Sequence, residues 1–259
     1  MIDIEIGLVR TDLSLRVPAI EDSLPLVRQA LRSVGQTVDA DLDALEDAEL
    51  AVTEALANAV EHAYGEGDGE IRVLVLPDEA SLIVTVSDDG VGMPAEVRRR
   101  SEGRGYGLSM IEGIASSLEI EEDDGTDVRM TFAMGLPAAE TVDGGLPGVD
   151  PTERMVRRLV AVVAAQRDMP SDRLVETLLV AELVARNALR YLTGDHAQVS
   201  IGAANGGFEL RVGPLEKGGA EAAVSDSDVP VVGSVIARLS ESTDTEPTNG
   251  DERLVVRFS

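Results

Sequence analysis

Residues 50–64 read LAVTEALANAVEHAY, and this stretch decides the fold of the first half of the chain. Glu54, Asn58 and His62 follow at intervals of four, so on a helix they lie within about a quarter of the circumference. The apolar side chains fall on the opposite side: Val52, Leu56, Ala59 and Ala63. One face suits a core, and the other gathers a carboxylate, a carboxamide and an imidazole. Taken alone, the pattern also fits an ordinary amphipathic helix with a polar outer face.

Downstream, an apolar strand predicted at residues 82–86 runs into the sequence SDDGVGM at residues 87–93. Glycine lets the backbone turn sharply and come close to a ligand. An aspartate at the end of a strand, here Asp88, can accept a hydrogen bond from an exocyclic amine. A plain Asp-Gly turn is the alternative interpretation.

A third stretch, GRGYGLSMI at residues 103–111, places three alternating glycines before a helix predicted at residues 108–118. Backbone N–H groups in such a loop, followed by a helix N-terminus, form an anion site. A flexible loop is again the alternative. The sequence has no G-x-x-x-x-G-K-[ST], which excludes a P-loop, and no strand–G-x-G-x-x-G–helix arrangement of the dinucleotide-binding type.

In this order, and followed by a hairpin with Gly125-Thr126, the three stretches resemble the Bergerat (GHKL) ATP-binding superfamily of gyrase, histidine kinases and MutL. TEALANAVEHAY is most similar to the anti-sigma factor serine/threonine kinase branch. The short segment between Gly92 and Gly103, and the lack of a phosphoacceptor-histidine hairpin, favour this branch over sensor histidine kinases. The resemblance covers roughly residues 12–134. It implies an α+β fold, a two-layer α/β sandwich of the histidine kinase-like ATPase type.

The resemblance also implies roles for the residues that match. Asn58 is expected to coordinate Mg²⁺, and Glu54 to act as general base on an incoming hydroxyl or water. Asp88 is expected to accept from the exocyclic amine of adenine, with Thr126 near the base through water. For His62 a structural role is as plausible as a functional one.

The glycines are expected to shape the site. Gly90 and Gly92 would let the base lie against the chain, and Gly105 and Gly107 would present N–H groups to the phosphates. Arg104 would reach a terminal phosphate. The cofactors implied are therefore ATP and Mg²⁺.

The activity implied is transfer of the ATP γ-phosphoryl group to a Ser or Thr of an anti-anti-sigma partner, together with binding of a sigma factor. Two alternatives stay open: a non-catalytic ATP-binding module that holds a shape for a protein partner, and an ATPase switch with no protein substrate. An intact set of site residues favours the kinase.

Composition limits the partners. The 259 residues carry a formal net charge of −26, and Lys217 is the only lysine. Such a surface repels phosphate backbones and anionic lipids, so nucleic acid and membrane are poor candidates and a basic protein segment is a better one. The chain has no cysteine, no basic and apolar leader, and no apolar run of membrane-spanning length, so we expect a cytoplasmic protein.

The sequence predicts two domains, 1–138 and 151–259, joined by a Gly/Pro-rich linker at 139–150. The predicted elements repeat in order. They are strand 12–18, helices 23–34 and 41–64, strands 71–76 and 82–86, helix 108–118 and strands 118–122 and 128–134; then helices 153–166 and 171–192 (Ser171 as N-cap), strands 197–203 and 208–212, helix 231–239 and strand 253–258. We interpret this as a tandem duplication.

The second copy is expected to have lost the nucleotide. Glu182 matches Glu54, but four residues later stands Arg186 in place of an asparagine, and Asn187 lies about 140° away from Asn58's position. Neither the D-x-G-x-G sequence nor the glycine-rich loop recurs. Such a copy could serve as an internal pseudodimer partner, a regulatory lid or a protein-binding surface, and a homodimer is the alternative.

Overall fold

A computed structural model of the chain describes residues 2–7, 12–38, 40–64, 67–78, 80–91, 106–122, 125–134, 151–167, 169–204 and 207–258. The fold is α+β with antiparallel strands, as the sequence predicts. Its elements are β1 (Ile2–Gly7), β2 (Leu13–Pro18), α1 (Leu24–Thr37), α2 (Leu42–His62), β3 (Glu70–Asp78), β4 (Ser81–Asp88), α3 (Tyr106–Ile114), β5 (Ser117–Glu121), β6 (Thr126–Ala133), α4 (Pro151–Gln166), α5 (Ser171–Ala188), β7 (His196–Ala204), β8 (Gly207–Leu215), α6 (Gly219–Ser225), β9 (Asp228–Val229), β10 (Gly233–Ser234), α7 (Val235–Leu239), β11 (Ser242–Thr248) and β12 (Asp251–Phe258).

The chain divides into two compact units, and their boundary differs from the predicted one. The first unit is Arg10–Asp143, and the second unit combines Met1–Val9 with Gly144–Ser259. The physical reason is strand pairing, because β1 runs antiparallel to β7 from Ile2↔Ile201 to Gly7↔His196. Assignment of residues 1–9 to the first domain was therefore wrong. The predicted linker at 139–150 lies outside the described residues.

In the first unit, the strands form an antiparallel sheet in the order β2-β3-β4-β6-β5. Burial alternates along β4 and β6, so one face of the sheet is apolar. On this face, α1 packs against β3, and α2 packs against β4 and β6. The result is a layer of helices on a layer of strands, as the resemblance implies.

The two long helices of this unit are locked together by apolar burial and one ion pair. Their buried faces recur at helical spacing: Leu26, Val27, Ala30, Leu31 and Val34 on α1, and Leu45, Ala48, Val52, Leu56 and Ala59 on α2. The guanidinium of Arg32 holds both carboxylate oxygens of Glu49 at 2.6 Å. A Cβ at Gly35 would lie 2.6 Å from Leu45 Cδ1, so glycine permits the close approach of the helices. These contacts fix the rotation of α2.

The second unit has the same order of elements as the first. Its strands run β1-β7-β8-β12-β11, all antiparallel, with α4 packed on α5. The rings of Phe208 and Phe258 stack in its core, with centroids 4.8 Å apart. A common order of strand, two helices, hairpin, helix and hairpin is what a duplication would produce.

Several details of the second unit differ from the prediction. The helix expected at 231–239 is limited to α7, because Val231 (φ 72°) and Gly233 (φ 78°) adopt left-handed conformations in the turn between β9 and β10. The N-cap position of α5 is Pro170, so Ser171 is its first helical residue and makes no cap. The strands β1 and β11 and the helix α6 were not predicted.

Within the described ranges, none of the helices combines the length and the apolar character that crossing a bilayer requires.

Candidate functional site

The polar face of α2 presents two side chains without partners. Glu54 and Asn58 are both half-buried, while Ala55, Leu56 and Ala59 beside them are buried against the unit. Across the described residues, no side chain or backbone group forms a hydrogen bond or ion pair with either of them. Since the helix is held by its packed face, the carboxylate and the carboxamide are placed in fixed positions and left available.

Asp88 is the last residue of β4, and its side chain is only 7% exposed. It lies opposite Ile71 on β3 and Thr126 on β6. The backbone N–H of Gly90 donates to Asp88 Oδ1 at 3.0 Å, and the backbone N–H of Thr126 also donates to this carboxyl. Burial raises the pKa of Asp88, the two N–H groups oppose the rise, and the negative charges of Asp89 and Asp127 add to it.

Two glycines allow the backbone to close around this carboxyl. A Cβ at Gly90 would lie 2.3 Å from the carbonyl oxygen of Ala63, at the end of α2. Gly125, with φ +127°, precedes β6, and its Cβ would lie 1.9 Å from the carbonyl oxygen of Asp88. The end of β4, the end of α2 and the start of β6 therefore meet at Asp88.

The end of α2 is fastened to the segment after Asp88 by groups that sequence reasoning missed. The N–H of Val91 donates to the carbonyl of Ala63 at 3.0 Å. The hydroxyl of Tyr64 accepts from the N–H of Asp89 at 2.9 Å. Arg72 Nη2 lies 2.6 Å from Asp89 Oδ1. The only signal in the sequence was the position of Tyr64, directly after the helix motif and before a glycine-rich stretch.

These contacts place the sequence-predicted groups in a line along α2. At 1.5 Å per residue, Asn58 lies about 7.5 Å and Glu54 about 13.5 Å along the axis from Ala63, which adjoins the Asp88 segment. An extended ligand would therefore meet a buried carboxyl at one end and a carboxamide and then a carboxylate further along. This order matches a base at Asp88 and phosphates toward Asn58 and Glu54.

The remaining predicted residues divide into two groups. Gly107 lies in the first turn of α3, which packs against α2, and Thr126 is 7% exposed opposite Asp88. Gly92, Arg104 and Gly105 lie outside the described residues, so their roles stay predictions. The side chain of His62 is 41% exposed, with Nε2 3.9 Å from Glu61 Oε2. No three His, Asp or Glu side chains gather into a metal site within the described part of the chain.

The corresponding helix of the second unit is chemically different. Arg186 Nη2 lies 3.0 Å from Glu182 Oε1 and 3.0 Å from Glu153 Oε2, and Arg157 Nε lies 3.7 Å from Glu182 Oε2. The side chain of Asn187 donates to the carbonyl of Ala223 at 2.9 Å and is buried. The groups that are available on α2 are thus occupied on α5.

In the second unit, α6 also fills the space that follows the end of β8. Ala220 and Ala223 on α6 are fully buried, and α6 packs against both α5 and β12. β8 and β12 hold the places in their sheet that β4 and β6 hold in theirs. A helix therefore occupies the region between helix and sheet that corresponds to the Asp88 pocket.

Comparison with known proteins follows this division. Residues 17–132 match the family described as histidine kinase-like ATPase domain. Serine-protein kinase RsbW of Listeria monocytogenes serotype 4a is 34% identical over 133 residues, which are 46% of this chain and 85% of the relative. Serine-protein kinase RsbW of Bacillus thuringiensis is 28% identical over 132 residues, 46% of this chain and 82% of the relative.

A solved structure is also similar, the RsbU and RsbW domains of Rv1364c from Mycobacterium tuberculosis. It is 25% identical and covers 51% of this chain, which in turn spans only 35% of that longer chain. The TM-score is 0.39, and nothing below depends on this similarity.

Proposed function

This chain belongs to the histidine kinase-like ATPase family, in the branch of the anti-sigma serine kinases, and on that premise we propose that its first unit transfers the γ-phosphoryl group of ATP to a Ser or Thr of an anti-anti-sigma protein. A general role as an anti-sigma regulatory kinase follows from the family. The partner, the acceptor and the residue roles are our proposals.

One observation carries the proposal: the polar face of α2 keeps Glu54 and Asn58 half-buried and available, whereas the equivalent face of α5 is closed by ion pairs. An ordinary amphipathic helix has no need to keep a half-buried carboxylate without a partner, because that carboxylate loses hydration and gains nothing in return. A helix built to meet a ligand does.

The residues present fit ATP. Asp88 combines a buried carboxyl with an adjacent turn that only glycines allow, so its free oxygen can accept from the amine of adenine. Asn58 supplies an amide oxygen, the kind of ligand that Mg²⁺ takes alongside waters and phosphate oxygens. Bound Mg²⁺ would neutralise charge on the phosphates. The N-terminus of α3 with Gly107, close to α2, would donate N–H groups to the anion.

Glu54 would orient the acceptor hydroxyl and take its proton as the O–P bond forms. The phosphoryl group then passes to the acceptor oxygen and ADP leaves. Since phosphoryl transfer depends mostly on positioning and charge, Glu54 contributes more to the chemical step than to ATP affinity.

We further propose that the second unit is a degenerate copy that binds no nucleotide. The ion pairs of Arg186 occupy the position of the metal ligand, and α6 occupies the region of the base pocket. The unit keeps the fold and is available for protein contacts, either as an internal pseudodimer partner or in binding the sigma factor.

The decisive experiment incubates the full chain with radiolabelled ATP, Mg²⁺ and the anti-anti-sigma protein encoded nearest to it, followed by mass spectrometry of that protein. A phosphorylated Ser or Thr that disappears with Glu54→Gln supports the kinase. ATP and partner binding without phosphorylation would favour the non-catalytic module instead, and phosphate release without the partner would favour an ATPase switch.

A further inference from the structure

The hydroxyl of Tyr64 replaces one rung of the ladder between β3 and β4. In the register of these strands Ile71 faces Asp88, so the next pair would be Glu70 and Asp89. The N–H of Asp89 donates to the Tyr64 hydroxyl at 2.9 Å, and the hydroxyl donates to the carbonyl of Glu70. The side chain of a residue just after α2 thus bridges the two strands at the rung beyond Asp88.

This bridge ends the strand at Asp88. Because the Tyr64 oxygen stands between the two backbones, Asp89 cannot pair directly with Glu70, and the chain turns toward α2. Val91 then bonds to the carbonyl of Ala63 at 3.0 Å, and Gly90 passes against the same carbonyl. Asp88 is left as the last residue of β4, with its carboxyl accepting from the N–H of Gly90 inside the turn.

The ring of Tyr64 has a place of its own. A Cβ at Gly69 would lie 2.1 Å from Tyr64 Cδ2, so the ring packs directly over the backbone of Gly69. On the other side, Arg72 holds the side chain of Asp89 at 2.6 Å. The hydroxyl is therefore positioned by packing that a phenylalanine would retain.

We propose that Tyr64 is a positioning residue for recognition of the adenine amine: its hydroxyl sets where Asp88 stands relative to the helix that carries Asn58 and Glu54. The inference rests on the proposed function, since it assumes that Asp88 reads the base. Tyr64 itself touches no ligand in this scheme. Its contribution is to selectivity between bases, because the phosphates are held by other groups.

The test compares ATP with inosine triphosphate, which carries an oxygen where ATP carries the amine. Binding of both nucleotides to the full chain is measured by calorimetry for the wild type, Tyr64→Phe and Tyr191→Phe. Tyr191 is the matched control, because its hydroxyl bonds Asp226 Oδ2 at 3.0 Å in the second unit. Loss of one bridging hydroxyl should lower the preference of Tyr64→Phe for ATP by about three- to tenfold, with inosine triphosphate affinity unchanged.

A second variant, Gly69→Ala, displaces the ring while keeping the hydroxyl, and should lower the preference in the same way. An unchanged preference in Tyr64→Phe, or an equal loss for both nucleotides with a lower Tm, overturns the inference in favour of a purely structural tyrosine. A wild type that binds ATP but does not distinguish it from inosine triphosphate would instead overturn the base contact of Asp88, and the role of Tyr64 with it.

Discussion

Asp88 and Thr126 face each other across β4 and β6, and the backbone N–H of Thr126 donates to the Asp88 carboxyl. Both residues are 7% exposed. A carboxyl that is buried, but bonded only to backbone donors of its own turn, keeps an acceptor free for a ligand.

Asp88→Asn should weaken ATP binding. The amide cannot offer a charged acceptor to the adenine amine, and hydrogen bonds to charged groups contribute about 1.5–3 kcal/mol, so we expect a loss of roughly ten- to a hundredfold. Calorimetry measures it, with Asp127→Asn, an exposed neighbour on β6, as control. Unchanged ATP affinity would exclude the base contact.

The same carboxyl should make stability depend on pH. Because burial raises the pKa of Asp88 above the ordinary 3.8, the folded state holds its proton more tightly than the unfolded chain does. Its contribution is full below the unfolded pKa and is lost as pH rises through the raised folded pKa. Urea unfolding from about pH 4 to about pH 7 should therefore show Asp88→Asn gaining relative to the wild type. A difference that stays constant with pH contradicts the shift.

Glu54→Gln should bind ATP normally and lose transfer by about 10²- to 10⁴-fold, the usual contribution of a general base. Single-turnover phosphorylation with a bound-ATP measurement separates the two effects. Glu182→Gln, at the matching position of α5, is the control and should leave transfer unchanged. Equal rates for Glu54→Gln and the wild type would remove Glu54 from the chemistry.

Gly90→Ala should destabilise the first unit by about 1–3 kcal/mol, because the added methyl meets the Ala63 carbonyl and the backbone must move. Gly113→Ala is the matched control. A Cβ there meets nothing within 4 Å, and alanine in a helix should stabilise by about 0.5–1 kcal/mol. Chemical unfolding decides, and two variants of equal stability would show that the approach at Gly90 is not tight.

Arg186→Ala should destabilise the second unit by about 1–3 kcal/mol, since it leaves the buried carboxylate of Glu153 without its cation. Arg129→Ala, which breaks an exposed pair with Glu119, should cost less than about 0.5 kcal/mol. Neither variant should change the binding stoichiometry of a single ATP per chain, and a second nucleotide site in either protein would contradict the degenerate copy.

Much of the first unit was predictable because each of its elements satisfies its own local pattern. The strands alternate, and α1 and α2 show an apolar face at helical spacing, so their positions were predicted within a few residues. The contacts that fasten Tyr64 to Asp89 were not, because they join residues 25 apart through a hydroxyl and a backbone N–H. No periodicity encodes such a bond.

The misses in the second unit have other physical causes. The helix predicted across Val231 fails because local turn geometry overrides an apolar run. The strand β1 does show alternating isoleucines at Ile2, Ile4 and Ile6, but its partner is β7, nearly two hundred residues away in the chain. Sequence order gives no indication of such a pairing, so residues 1–9 were assigned to the wrong unit.

Because β1 belongs to the second unit, that unit is interrupted in the chain by the whole of the first. At about 5–20 residues per second, the ribosome needs roughly ten to forty seconds to make the residues between β1 and β7. During this time the nascent chain carries an unpaired apolar strand while the kinase half is already free to fold. The alternation of Asp3 and Glu5 with the isoleucines places charges on a segment that would otherwise recruit foreign strand edges before its own partner is synthesised.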